Sequence, residues 1–443
     1  MSISGHAELG IRDHLRIEDG HLTVEGASCV DLADEYGTPL YVLSETRIRH
    51  NYRTFHRALT SFYENVLVCP AYKANCHLAV GRIYQTEGAG AEVVSATELK
   101  IALDAGVNPE AIIYNGPLKK EKDLELAISS SVGLINADSL QELNQMQEVA
   151  NRLGRSCNVG IRINLGMKAE THPHLATSLR EHKFGIWIGD AIPAYKAAAE
   201  KRDLNVIGIH SHIGSNISRP QIFSEMTTTI LQLARQITKT VGVELTKIDL
   251  GGGVGFAYQI DSPKITYEEY ASAILLEKIR MLEQIGKPTL IFEPGRGIIA
   301  DAGLLLTKVH VLKRQGELNW AIVDAGMNTF LRPALYDAKH QVVVANRASE
   351  PASVSYNLGG PCCESGDVIA RGALLPQLLE NDVLAVLDVG AYGFTMASNY
   401  NGEPRPAVVL VRNSQSELVR RREIYEDLIG REIVPAHLRR IER

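Results

Sequence analysis

The sequence has no apolar run approaching the roughly 20 residues that a helix needs to cross a bilayer. It opens on a polar stretch of mixed charge, MSISGHAELGIRDHLRIEDG, with the make-up of neither a secretory signal nor a transit peptide. Cysteine is scarce: the 6 residues, at positions 29, 69, 76, 157, 362 and 363, show no CxxC spacing and no disulfide-framework density. A reduced, cytoplasmic protein is therefore expected. An excess of one charge is also missing, because 46 Lys and Arg face 52 Asp and Glu and the net charge of −6 is spread along the chain. Without a basic stripe, nucleic acid is not an expected partner, and neither is a membrane. Internal repeats and low-complexity linkers are absent as well.

What remains is an ordinary globular composition, 45 % apolar and 22 % charged over 443 residues, enough for two domains or for a barrel with an appendage. From about residue 40 to 300, short β-branched runs alternate with helical stretches. The runs are NVLVCPAY, AEVVSA, AIIYNG, VGLINAD, NVGIRIN, NVIGIHSHI, LTKIDLGGG and TLIFEPGR. Between them lie periodic segments such as SLQELNQMQEVANRLG. There Leu140, Leu143, Met146 and Val149 form a helical stripe, and Ser139 is a plausible N-cap. Eight strand–helix repeats predict an α/β fold, a (β/α)8 TIM barrel over residues 41–300; a doubly wound sheet seldom needs as many strands. Residues 301–443 read as a C-terminal all-β domain, which the N-terminal segment, 1–40, joins through strands such as HLTVEG. The charge-dense end, RREIYEDLIGREIVPAHLRRIER, reads as a solvated helix.

In a barrel, working residues gather where strands end and loops begin. Lys73 follows a buried-looking run in CPAYKANCHLAV, where a bare ammonium is costly. It could snorkel to the surface, pair with a carboxylate, or condense with an aldehyde cofactor. Other strand ends carry His210, His212, Gly214 and Ser215 (GIHSHIGSN), Gly251 to Gly253 (DLGGGVG), and Glu293, Gly295 and Arg296 (FEPGRG). Each fragment alone is weak: a triglycine is commonly a tight turn, and a lone histidine is commonly a satisfied core residue. His210 and His212 would share one face of a strand, which could suit a metal. No Cys, Asp or third His follows at ligand spacing, so no metal is expected. Together the fragments describe a pyridoxal phosphate site: an amine, a flat imidazole, glycine N–H groups with a serine and an arginine for a phosphate, and a carboxylate for the ring nitrogen.

These residues, in this order, resemble the alanine-racemase-like pyridoxal phosphate enzymes, and within them the diaminopimelate decarboxylases. The motifs are YKAN, HSHIGSN, GGGVG, EPGRG, LRPALY, GPCCESGD and GAYGFTMASNYN, covering residues 35 to 410 or so. The resemblance implies that Lys73 holds the cofactor, that His212 lies on the ring face, and that Glu293 meets the ring nitrogen. Ser215, Gly253 and the Gly295–Arg296 stretch would bind the phosphate. Arg296, Arg332 and Tyr336 would contact substrate carboxylates, and Tyr392 would lie near cofactor and substrate. Glu92 and Glu98 stand where the class has acidic residues, Glu92 in place of a usual Asp. In the family the GPCCESGD loop comes from the partner subunit of a homodimer. Cys363 matches its proton donor and Glu364 the residue that holds the distal ammonium. Cys362 would be a packing residue.

The implied reaction is decarboxylation of meso-2,6-diaminopimelate to L-lysine and CO2. One departure bears on substrate choice: where many members have Thr-Gly before KFG, this chain has HLATSLREHKFG, with Thr177 and Ser178 followed by charged Arg180 and Glu181. Decarboxylases of lysine, ornithine or a siderophore precursor are the alternatives, and a racemase on the same scaffold is a more distant one.

Overall fold

The computed structural model describes residues 13–167, 181–259 and 262–439. These form two compact units: one takes in the chain through Ser44, Gly303–Val389 and the chain from Met396, the other Glu45–Ala302 and Gly390–Thr395. In the departing run, Thr177, Ser178 and Arg180 lie outside the described residues, whereas Glu181 is described and exposed.

The chain begins with a small antiparallel sheet, β1 (Leu15–Glu18), β2 (His21–Val24) and β3 (Ala27–Ser28). A helix, α1 (Cys29–Tyr36), follows at once because Ser28 caps it, its hydroxyl accepting from Asp31 N at 3.2 Å. Then comes β4 (Leu40–Ser44), which belongs to the larger sheet of this unit.

The second unit is a parallel barrel. Its strands are β5 (Val66–Val68), β6 (Ala91–Val93), β7 (Ile112–Tyr114), β8 (Leu134–Ala137), β9 (Cys157–Asn164), β11 (Leu204–His210), β12 (Lys247–Asp249) and β13 (Thr289–Phe292). A two-residue strand, β10 (Ile186–Trp187), pairs beside the end of β9. Hydrogen-bonded neighbours follow chain order from β6 round to β13, and β13 then pairs with β5. The ring closes between the first strands, where Glu92 N donates to Pro70 O at 3.1 Å and Tyr72 N to Glu92 O at 3.0 Å. All eight runs read from the sequence are strands of this ring. They are continuous apolar runs because both faces are covered.

The barrel interior is apolar at one level, where buried Cys69, Ile113, Leu134 and Ile291 meet Leu67 and Ile207. Short βα turns start helices by the same device twice: Ser95 accepts from Glu98 N and Ser139 from Glu142 N, both at 3.2 Å. In the helix Leu140–Leu153, Leu143, Met146 and Val149 are buried as the stripe requires, but Leu140 is 49 % exposed. As the first helical residue it stands on the rim.

In the first unit, β14 (Gly303–Gln315) is the long central strand, pairing antiparallel with β4 and with β15 (Leu318–Val323). The sheet continues through β17 (Val354–Gly359) and β18 (Val368–Leu375) on one side, and β20 (Ala407–Arg412) and β21 (Gln415–Arg420) on the other. Two further strands, β16 (Val342–Val344) and β19 (Val383–Val386), attach through β14. Leu22, Val24 and Leu32 pack into one cluster with Leu304, Leu306, Leu387 and Val409, so the N-terminal segment shares its core with the C-terminal strands. Each such aliphatic side chain stabilises by about 1.5–3 kcal/mol when fully buried. The charge-dense end is exposed as read, but it is not one helix. Among its described residues only Tyr425–Ile429 is α-helical, because Gly430 follows it and Pro435 stands five residues further on.

Candidate active site

At the C-terminal ends of the barrel strands the interior turns polar. Lys73 lies just past β5, and its Nζ donates to the Glu92 carboxylate on β6. Protein surrounds the lysine, yet 40 % of its side-chain surface remains accessible, so the amine lines open space inside the barrel mouth. Burial pushes its pKa down, but interactions with Glu92, Tyr392 and Glu293 and the Glu92 hydrogen bond outweigh that and hold it above the ordinary lysine range. The buried-looking lysine is thus an ion-paired ammonium, and the pairing is what makes its position tolerable.

Glu92 is part of a larger network. Asn115, directly after β7, donates through Nδ2 to Glu92 Oε1 at 3.2 Å and also to Glu293 Oε1. Asn136 on β8 donates to Asn115 Oδ1 at 2.8 Å and to Asp249 Oδ2 at 3.1 Å. Glu293 is buried directly after β13, and Asp249 is buried at the end of β12. Burial raises the Glu293 carboxyl well above its usual range, and the Asp249 and Glu92 charges add to this. Asp249 is pushed up to about 7, chiefly by burial.

His210, at the end of β11, places Nε2 3.6 Å from Glu293 Oε2. Both of its ring nitrogens are buried without a hydrogen-bond partner among the described residues. His210, Asp249 and Glu293 bring their ligand atoms within 4.8 Å of one another. That spacing would admit a cation, a grouping that the sequence spacing of the histidine pair did not suggest. His212 accepts from Gly252 N at 3.3 Å through Nδ1. Burial, and then the Arg162 and Lys73 charges, hold both imidazoles far below the usual histidine range, so both are neutral.

A corner suited to an anion lies beside these groups. Arg296, buried at the start of the short helix Arg296–Ile299, donates to Ser215 Oγ at 3.2 and 3.3 Å and to the Tyr258 hydroxyl at 2.8 Å. Its guanidinium also lies 4.9 Å from the centre of the Tyr392 ring. Tyr392 adopts a left-handed φ of 56° and is pinned by its own N–H, which donates to Ala74 O at 2.8 Å. Gly295 keeps this corner close-packed: a Cβ there would sit 3.2 Å from Ala74 Cβ and 3.3 Å from the Tyr392 hydroxyl. Gly253 follows β12 with φ +110°, a conformation suited to glycine.

The structure therefore brings together Lys73, His212, Ser215, Gly253, Glu293, Gly295, Arg296 and Tyr392 in the barrel unit, with Glu92 and Glu98 beside Lys73. Pyridoxal phosphate fits these groups on three counts. An accessible primary amine stands at a strand end, and a buried arginine–serine corner suits a phosphate. A buried carboxyl raised by its surroundings is one that a protonated ring nitrogen would return to its ionised form.

The other four expected residues lie in the first unit. Arg332 begins a short helix, Arg332–Tyr336, and is buried; its Nη1 donates to His340 Nε2 at 3.1 Å, while His340 Nδ1 donates to Leu387 O at 2.9 Å. Tyr336 ends that helix. Cys363 and Glu364 are exposed on the turn between β17 and β18. Cys362 is turned inward instead, with Sγ 3.5 Å from Asn328 Oδ1.

Sequence reasoning did not single out Asn115, Asn136, Asp249 and Tyr258, and it gave His210 no role. The available signal was a lone polar residue within or directly after a short apolar strand, as in IIYNG, LINAD and KIDL.

Comparison with known proteins gives consistent results. Residues 45–300 match the family of the pyridoxal-dependent decarboxylase, pyridoxal binding domain. Diaminopimelate decarboxylase of Methanocaldococcus jannaschii is 39 % identical over 96 % of this chain and 98 % of its own length. That of Methanothermobacter thermautotrophicus is 41 % identical over 95 % and 97 %. The crystal structure of the M. jannaschii enzyme in co-complex with L-lysine superimposes with a TM-score of 0.90 at 38 % identity, covering 96 % of this chain and 99 % of that one.

Proposed function

The chain belongs to the diaminopimelate decarboxylase family of pyridoxal-dependent decarboxylases, and from that premise we propose that it converts meso-2,6-diaminopimelate to L-lysine and CO2. The observation that carries this reading is the Lys73–Glu92–Asn115–Glu293 chain of contacts beside the Arg296–Ser215 corner.

Pyridoxal phosphate, when bound, supplies an aldehyde for amines and an electron-withdrawing ring that takes up the charge left as CO2 departs. Lys73 is the amine that holds it, and Glu92 is placed to accept the proton that Lys73 must lose to become a nucleophile. Ser215, Gly253, Gly295 and Arg296 bind the phosphate. Neutral His212 would lie against the ring, and Tyr392 would line the same space. Glu293 keeps the ring nitrogen protonated, and Asn115 fixes the orientation of its carboxylate.

The first unit supplies the substrate contacts in this reading. Arg332 and Tyr336 take the distal carboxylate, for which a planar guanidinium is better suited than an ammonium, and Glu364 takes the distal ammonium. Cys363 returns a proton to Cα as general acid. We place the exposed turn bearing Cys363 and Glu364 in the site of a second subunit, which makes the enzyme a homodimer, and we assign it to the cytoplasm.

The test is a substrate panel. The protein loaded with pyridoxal phosphate should absorb in the visible, and borohydride should fix the cofactor to the Lys73 peptide. Meso-diaminopimelate should give CO2 and a product of lysine mass in equal amounts. Release of CO2 from lysine or ornithine, with diaminopimelate left untouched, would refute the substrate assignment.

A further inference from the structure

The turn that carries Cys363 and Glu364 is organised around one carboxylate. Asp367 is buried, although it lies only a few residues from two exposed ones. Its Oδ1 accepts from Met327 N at 2.5 Å and its Oδ2 from Cys362 N at 2.7 Å, so one side chain joins two separate loops. Its backbone is tied in as well: Gly360 N donates to Asp367 O at 3.1 Å, and Asp367 N donates to Glu364 O at 3.0 Å. The carboxylate fills a slot between two glycines. A Cβ on Gly326 would sit 2.8 Å from Oδ1, and one on Gly360 only 2.4 Å from Oδ2.

This bracing separates two chemically identical neighbours. Cys362 has its backbone pinned to Asp367 and its thiol against Asn328. Burial, and then the Asp367 charge, raise that thiol to about 11, so it stays protonated and unreactive. Cys363, one residue on, is exposed. A flip of the turn by one residue would exchange the two thiols.

We propose that Asp367 is the positioning residue that fixes which cysteine of the pair faces outward, tying the Cys362 backbone to the loop at Met327 and leaving its thiol against Asn328, so that Cys363 and Glu364 project from the turn. The inference rests on the reading of Cys363 as proton donor for its effect on rate, but not for its effect on thiol accessibility. Asp367→Asn is the sharpest probe. It keeps size and shape but turns one acceptor into an NH2 group facing a backbone N–H, so one of the two charge-assisted bonds becomes a clash of donors.

Two measurements on the cofactor-loaded enzyme test it. The first is alkylation, with each cysteine quantified by mass spectrometry of its peptide. Wild type should label Cys363 at least about tenfold faster than Cys362, and Asp367→Asn should bring the rates close together. The second is a double-mutant cycle in kcat. Asp367→Asn should lower kcat about tenfold or more with bound cofactor unchanged, and should cost little further in a Cys363→Ala background. Unchanged labelling, or an equal loss of kcat in both backgrounds, would overturn the proposal. If Cys363→Ala alone keeps full kcat, the proton-donor reading fails, and the labelling ratio still decides the role of Asp367. Should Asp367→Asn not fold, Asn328→Ala serves. It frees the Cys362 thiol but leaves the carboxylate brace, so kcat should stay within about threefold of wild type; a collapse of kcat would show that the thiol contact, not Asp367, holds the turn.

Discussion

The two units treat polar side chains in opposite ways. In the barrel, Glu92, Asn115, Asn136, Asp249 and Glu293 are all buried, and side chain bonds to side chain from strand to strand. In the other unit, Cys363 and Glu364 are exposed, and what fixes them is backbone hydrogen bonding gathered on the buried carboxylate of Asp367. Groups that must face a rigid ring are locked by a network that tolerates little change. Groups that must project from the surface are held by their own loop. The barrel should therefore fail as a whole when one member is removed, whereas the other unit should lose single steps.

The largest effect is expected at the centre of the barrel network. Lys73→Ala should abolish turnover, the visible absorption and borohydride fixation together; retention of the absorption band would break the comparison at its root. Cys363→Ala should leave the band intact and lower kcat by about 10²-fold or more, the range for loss of a general acid. Mixing the two inactive variants sharpens the contrast. If each site draws Lys73 from one subunit and Cys363 from the other, random reassortment should restore about a quarter of wild-type activity; no recovery would place both residues on one subunit. Arg332→Ala should act on recognition. The loss of a charge-assisted carboxylate contact predicts about a 10- to 100-fold fall in kcat/KM for diaminopimelate, carried mainly by KM.

The same contrast explains what could be read in advance. Barrel strands were legible because strands buried on both faces are written as apolar runs. The residues we propose to work there were legible because Lys73, His212, Glu293 and Arg296 stand where such runs end. Asn115, Asn136 and Asp249 were not, since a single amide or acid in a three- or four-residue strand looks like any satisfied polar group until its neighbours across the barrel are known. In the β unit, β17 and β18 went unread. They flank the GPCCESGD turn and carry mixed exposure, so no clean alternation marks them. The role of Asp367 was hidden for a related reason: its partners are backbone N–H groups, which carry no sequence signal.

The smallest expected effect concerns Glu98, at the edge of the barrel network. Its Oε2 accepts from Val94 N at 2.8 Å, yet burial, and then the Glu92 charge, raise its pKa from 4.5 to about 7. Between those values the unfolded chain gives up the proton while the folded chain keeps it. Glu98 thus contributes fully to stability below pH 4.5 or so, and that contribution is lost as pH rises through 7, by at most about 3 kcal/mol. Glu98→Gln cannot ionise, so denaturation midpoints should fall less between pH 5 and 7.5 in the variant than in wild type, with kcat at pH 6 little altered. Parallel midpoint curves would mean that the edge of the network relaxes around an ionised Glu98, and that the rigidity ascribed to the barrel stops at Glu92.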